Sequence, residues 1–276
     1  MAGPAQPSTP VAPGISQFLL QVYGDEREVM LDYAIKQGHG VDVSDFISQH
    51  FLDDAPRCKE LVAWYRSRLT DVAGQVTLHG ALWDLAPSSR DSKVRAATME
   101  RMNQCLDIAE ELGISWVVFH LDFFPPARDP NYFRLWTERQ AAFWQELLQN
   151  RSVTMLLENI WEPRAEIVRA AVDSVGLDCV SACLDAPHVH LNSRQSQSEW
   201  VNELGNRIRC LHVSDNDRSL SQHLPPGQGT IDWKDLLGAM VRHGLSVPTV
   251  IEVHGVAGAQ ATMDYLRTLE IDDSAN

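Results

Sequence analysis

Lysine is scarce in this chain of 276 residues: there are four, Lys36, Lys59, Lys93 and Lys234, each in or beside a stretch patterned as a helix. A Schiff-base aldolase needs a desolvated lysine at a strand end, so that chemistry is excluded. Positive charge is short altogether, with 23 Lys and Arg against 37 Asp and Glu and a net charge of −14. Such a balance repels phosphate backbones and anionic lipid, so neither a nucleic-acid nor a membrane partner is expected. Long apolar runs are missing too; none approaches the roughly 18 residues that cross a bilayer. The first residues carry no basic segment followed by an apolar one, so no secretory signal is read there. Without an export signal, the odd count of five cysteines reads as reduced thiols. Cys58, Cys105, Cys179, Cys183 and Cys210 are expected as packing residues, and the location as cytoplasmic. The G-x-S-x-G elbow, the P-loop and the kinase signature are also absent, which removes three large groups of enzymes.

What is present alternates. The segment MAGPAQPSTPVAPG, with Pro4, Pro7, Pro10 and Pro13, reads as a disordered tail over residues 1–14, and residues 272–276 as a short C-terminal tail. Residues 15–271 between them read as one domain. Apolar runs occur at Ile15–Tyr23, Gly40–Phe46, Val76–His79, Trp116–Leu121, Val153–Glu158, Val180–Asp185, Ile208–Ser214 and Thr249–Val253. They are continuous rather than alternating, as parallel strands covered on both faces are. Amphipathic stretches separate them, most clearly over 91–112, 132–149 and 232–243. Gly113, Gly176 and Gly244 follow helices where a left-handed cap is wanted, and Pro163 and Asp232 mark helix starts. Eight strand–helix repeats predict a single (β/α)8 TIM barrel. The competing open sheet would carry G-x-G-x-x-G after its first strand, whereas Gly227–Gly229 comes far too late.

Barrel enzymes place their chemistry at the C-terminal strand ends. Six successive runs end in, or close to, a metal-competent side chain: His79, His120, Glu158, Asp185, His212 and Glu252. A single histidine at a strand end is most often a hydrogen-bonded core residue. Six converging on one axis point instead to a divalent metal. Three carboxylates and one imidazole (Glu158, Asp185, Glu252, His212) suit Mn2+, Co2+ or Mg2+ and accept Zn2+. Added nitrogen ligands from His79 and His120 would tilt the preference to zinc, or the two would hydrogen-bond a substrate oxygen instead. Trp83, Trp161 and Phe123 follow strand ends and are candidates for an apolar wall against a sugar ring, with loop packing as the plainer role. Trp116 and Trp233 read as core residues.

The strings LHGALWDLAP, VVFHLD, LLENIWEP, CLDAPHVHLNS, LHVSDNDR, QHLPPGQGTIDW and VIEVHG resemble, in order and over nearly the whole domain, the xylose isomerase-like barrel superfamily. The resemblance implies a sugar, sugar-phosphate or polyol isomerase or epimerase that abstracts a proton next to a carbonyl and passes through a metal-stabilised enediolate. Its ketose 3-epimerase branch implies that Glu158 and Glu252 are both metal ligands and the acid/base pair, with Asp185 and His212 completing the coordination. It also implies that His188 and Arg218 touch substrate oxygens, that the His223–Gly229 loop borders the pocket, and that Asp42 meets a substrate hydroxyl. His190 and His254 lie close enough in sequence to orient ligands. The endonuclease IV branch implies a three-zinc phosphodiesterase using His79, His120, His188, His212 and His223. Ser221 stands where that branch has an aspartate, and the acidic chain offers no basic groove. A dehydratase acting on a keto-polyol begins with the same proton abstraction, and a barrel that binds sugar without turnover is the non-enzymatic alternative. By analogy with relatives, a homo-oligomer is expected.

Overall fold

A computed structural model describes residues 11–271. Of the expected tails at 1–14 and 272–276, residues 1–10 and 272–276 lie outside the described residues. Residues 11–14 form a turn in which Ala12 is buried and the Gly14 carbonyl accepts from the Val247 amide at 3.1 Å.

Eight strands close into a parallel barrel in chain order: β1 (Ile15–Val22), β2 (Gly40–Val43), β3 (Val76–His79), β4 (Trp116–His120), β5 (Thr154–Glu158), β6 (Val180–Asp185), β7 (Ile208–Val213) and β8 (Val247–Ile251). The predicted (β/α)8 TIM barrel is the fold. Helices α1 (Arg27–Gln37), α2 (Gln49–Leu52), α3 (Ala55–Leu69), α4 (Ser92–Leu112), α5 (Tyr132–Leu147) and α6 (Ala165–Val175) cover the first half. Helices α7 (Ala186–Asn192), α8 (Gln197–Leu204), α9 (Trp233–Arg242) and α10 (Gly255–Thr268) complete it. Among the described residues no helix is long and apolar enough to cross a membrane.

Local chemistry sets the boundaries. Gly113 ends α4 in the left-handed region, φ +70°, where a side chain would be strained. The Asp232 carboxylate accepts from the Asp235 amide at 3.0 Å and starts α9. β2 stops three residues before the expected Phe46 because the chain turns into a 3-10 helix at Asp45–Ile47. There the buried Asp45 carboxylate takes Arg27 and the Tyr65 hydroxyl. β8 begins and ends two residues earlier than the apolar run suggested, at Val247 and Ile251.

Two apolar layers hold the barrel. Leu19, Val118, Leu156, Cys183, Cys210 and Val250 fill its interior. A second layer, with fully buried Trp136, Trp144, Trp200 and Trp233, packs the strands against the helices. Both faces of the strands are therefore covered, which is why their sequences read as unbroken apolar runs.

Candidate functional site

Strand register assembles the site. His120 pairs with Glu158 across β4 and β5, and Asp185 pairs with His212 across β6 and β7. Paired residues on parallel neighbours stand at one height; across β5 and β6 Glu158 pairs with Cys183, so Asp185 and His212 stand two residues further along, toward the same C-terminal rim. Glu252 does not close β8 as expected; it is the residue after it. Its amide still donates to the Val213 carbonyl at 3.0 Å, which keeps Glu252 beside His212. Asn159 clamps Asp185 in place, accepting from its amide and donating to its carbonyl, both at 2.9 Å. Asp185 also caps α7 by accepting from the His188 amide.

The resulting distances are short. Glu158 Oε2 lies 3.2 Å from His79 Nε2 and 3.4 Å from His120 Nε2. His212 Nδ1 lies 2.9 Å from Glu158 Oε1 and 3.1 Å from Glu252 Oε1. His188 Nδ1 is 4.0 Å from Asp185 Oδ1. Of the six strand-end residues none is more than 7% exposed. Potential ligand atoms fall in overlapping triads, each within 4.8 Å: His79–His120–Glu158, His79–His212–Glu252 and Glu158–Asp185–His212. His212 belongs to two of these triads and joins the four expected ligands. The set is thus brought together, though not as a single group of four.

Several of these buried atoms have no hydrogen-bond partner: His120 Nδ1, Glu158 Oε2 and both ring nitrogens of His212. The approaches to His212 are close in distance but miss the angles of a hydrogen bond. Buried polar atoms are almost always paired, so a cluster of unpaired donor atoms facing one another fits a cation-binding centre. The electrostatics agree. Burial, with the Glu158 and Glu252 carboxylates close by, pushes the Asp185 carboxyl well above its usual range. Burial works against charge on Glu158 too, but His120, His212 and His79 hold that carboxyl well below it. Glu252, likewise buried, is held at about 2 by His212. Burial drives the His120 imidazole down to about 3 and lowers His188. Three carboxylates crowded in one dry place cannot all carry charge without added positive charge. The donor set supplies oxygen and nitrogen for a divalent ion.

A cavity of about 420 Å3 opens above these groups. Glu158, Glu252, His79, His120, His188 and His223 line it, and so do Trp83 and Trp161. His223, at φ +49°, presses Nδ1 against the Glu252 carbonyl at 2.8 Å. Asp185 and His212 are buried and absent from its lining. Three expectations fail. Arg218 faces a neighbouring cavity of about 600 Å3 instead, its Nε 3.4 Å from His190 Nδ1, because its loop leaves the rim with φ +70°. Phe123 is no wall: it is buried against Tyr132 and Trp136, with ring centroids 5.2 Å away in each case. Asp42 is fully buried inside the barrel, and the Ser44 and Thr77 hydroxyls occupy its two oxygens.

Other residues join the site without having been read from the sequence. Gln21 lines the cavity, with Nε2 3.5 Å from Glu252 Oε1. Its signal was present: Gln17 and Gln21 are the two amides in a strand otherwise apolar but for Ser16, four apart and hence on one face. Cys183 and Cys210 are buried as expected, but they also lie within 4.8 Å of His212. Only the β6–β7 register, which pairs them, brings that contact about.

Comparison with known proteins agrees with this architecture. A curated relative, fructoselysine 3-epimerase of Shigella flexneri, is 20% identical over 59% of this chain and 61% of the relative, less than two thirds of its length. A solved structure of the TTHB071 protein from Thermus thermophilus, soaked with ZnCl2, is 25% identical, with a TM-score of 0.71 over 91% of this chain and 96% of that one. A D-tagatose 3-epimerase-like protein superposes with a TM-score of 0.73 at 20% identity, covering 91% and 95% of the two chains. The family model for the xylose isomerase-like TIM barrel matches residues 40–269. With most of the barrel matched and the strand ends arranged as described, the chain belongs to the xylose isomerase-like TIM barrel family.

Proposed function

We propose that this protein is a divalent-metal-dependent isomerase or epimerase that moves a proton next to the carbonyl of a small sugar or related polyol. One observation carries the reading: acid and imidazole groups from separate strands meet in a buried cluster whose donor atoms lack partners. The names of two similar proteins, both 3-epimerases or like one, support it. Glu158, Asp185, His212 and Glu252 would hold the ion, with Mn2+, Co2+, Mg2+ or Zn2+ all compatible with such a donor set. When bound, a divalent cation supplies Lewis acidity to the carbonyl, which makes the neighbouring C–H acidic enough to ionise near neutral pH.

The remaining work falls to the chain's own groups. Glu158 would accept the proton from carbon on a carboxylate oxygen, and Glu252, after taking a proton from water, would deliver it from the other side of the pocket. Return to the same carbon inverts it; return to the adjacent carbon isomerises the sugar. His188, His79, His120 and His223 would hold substrate oxygens, and Trp83 and Trp161 would cover the ring and exclude water. Arg218 would act only on a substrate long enough to reach the neighbouring cavity.

A second reading, an endonuclease IV-like zinc phosphodiesterase, draws on the His79–His120–Glu158 triad. The net charge of −14 and the absent aspartate at Ser221 weigh against it. One experiment separates the two. Metal per chain is measured on the purified protein, which is then incubated with a panel of ketoses in heavy water. Deuterium entering the carbon beside the carbonyl supports the first reading. Three zinc ions with cleavage of abasic DNA and no deuterium uptake would replace it with the second.

A further inference from the structure

The catalytic cavity has a neighbour. A second cavity of about 440 Å3 shares Leu82, Trp83, His120 and Trp161 with the first, so the two meet along one wall. The lobes differ in character. The first sets carboxylates, imidazoles and Gln21 beside Ile47, Ile160 and Leu191. The second is closed by Ala81, Leu85, Ala86, Met102 and Leu121, with Asp84 as its one acidic group. Among the described residues no lysine or arginine lines either lobe.

Two physical points follow. Phosphate groups are bound most strongly by a guanidinium, an ammonium or a helix N-terminus. Neither lobe presents a cationic side chain, and Asp84 would repel an anion. Arg218 lines a different cavity together with Asp232 and Asp235. Secondly, Trp83 and Trp161 stand 56% and 44% exposed at the junction of the two lobes. Indole rings left that open beside an apolar hollow mark a place where an apolar group is bound.

We propose that the substrate is an uncharged keto-sugar carrying an aryl substituent, with the polyol against Glu158 and Glu252 and the aryl ring in the second lobe beside Trp83 and Trp161. The proposal rests on the isomerase or epimerase reading and narrows its substrate. It excludes sugar phosphates as the preferred class.

The test compares the methyl glycoside, the phenyl glycoside and the phosphate ester of one hexose that carries a ketone at a ring carbon away from the anomeric one, so that each keeps a free carbonyl, following deuterium uptake from heavy water by the metal-loaded protein. The phenyl glycoside is expected to exceed the methyl one in kcat/KM by about tenfold or more, a ratio that apolar pockets reach, with the phosphate ester poorest. Leu85→Asp, which places a charge in the second lobe alone, should bring the phenyl-to-methyl ratio close to one. Uptake with equal phenyl and methyl rates, or with the phosphate ester preferred, overturns the proposal and leaves the epimerase reading standing. Uptake by no member removes that reading. Equilibrium titration by tryptophan fluorescence then decides the proposal separately: phenyl binding about tenfold tighter than methyl supports it, and equal binding ends it.

Discussion

Asp215 anchors the segment between β7 and α9 that carries Ser221 and His223 to the rim of the cavity. Its side chain is fully buried and accepts four hydrogen bonds. Oδ1 takes the amides of Asn216 at 2.9 Å and Ile231 at 3.1 Å, while Oδ2 takes the Gly227 amide at 2.8 Å and Trp233 Nε1 at 3.0 Å. Asp215→Asn keeps one oxygen but turns an NH2 toward two of these donors. Two buried donors then lose their acceptor, at about 1–3 kcal/mol each, so about 2–6 kcal/mol of stability should disappear. That is a large share of the roughly 5–15 kcal/mol that holds a domain together. Urea unfolding reads it as a lower midpoint at unchanged slope. Hydrogen exchange at the Gly227 amide and the Trp233 indole, or at the Asn216 and Ile231 amides if Asn turns the other way, should quicken in parallel. Asp217→Asn is the control: Asp217 accepts from the Ser219 amide at 3.0 Å but is exposed, so a change within about 0.5 kcal/mol is expected. A loss under about 1 kcal/mol for Asp215→Asn would refute the argument that this one carboxylate organises the segment.

Further outcomes are expected at the site and beside it. Glu158→Gln should lower kcat by about 10²–10⁴-fold in the deuterium assay while the far-ultraviolet circular dichroism stays native; near-normal turnover would remove Glu158 from proton transfer. Chelation followed by gel filtration should lower both turnover and the melting temperature. Adding back a divalent ion at about 100 times its Kd should restore about 2.7 kcal/mol, and an unchanged melting curve would count against a metal centre. Burial pushes the Glu162 carboxyl up to about 7 from an ordinary 4.5. Between those values the folded chain keeps a proton that the unfolded chain has lost. The associated stability, about 3 kcal/mol, is therefore full below pH 4.5 and is lost as the pH rises through 7. Glu162→Gln should remove that slope, and a variant with the same pH profile as the parent would refute the assignment.

The element order was legible because it is written in local patterns. β3 and β6 run over Val76–His79 and Val180–Asp185 as their apolar runs indicate, since continuous burial on both faces leaves little else for such runs to be. β2 and β8 were misjudged at their ends. Asp45 leaves the sheet for Arg27 and Tyr65, and the β8 register with β1 starts at Val247. Neither contact has a local signature. The strand-end residues were legible as a set, since a His, Asp or Glu closing a buried strand stands out against its apolar run. Gln21 was less so, being uncharged. Arg218 was misplaced because sequence distance from His212 says nothing about which way a loop turns, and here a positive φ turns it toward His190.

From the chain alone came the barrel, its eight repeats and the side chains able to bind a cation, because periodicity and residue type are properties of neighbours in sequence. Folding in three dimensions settled the rest: that His212 lies between Glu158 and Glu252, that Arg218 faces another hollow, and that an apolar lobe adjoins the polar one at Trp83 and Trp161. Those facts depend on register and loop path, which arise from contacts between residues far apart along the chain.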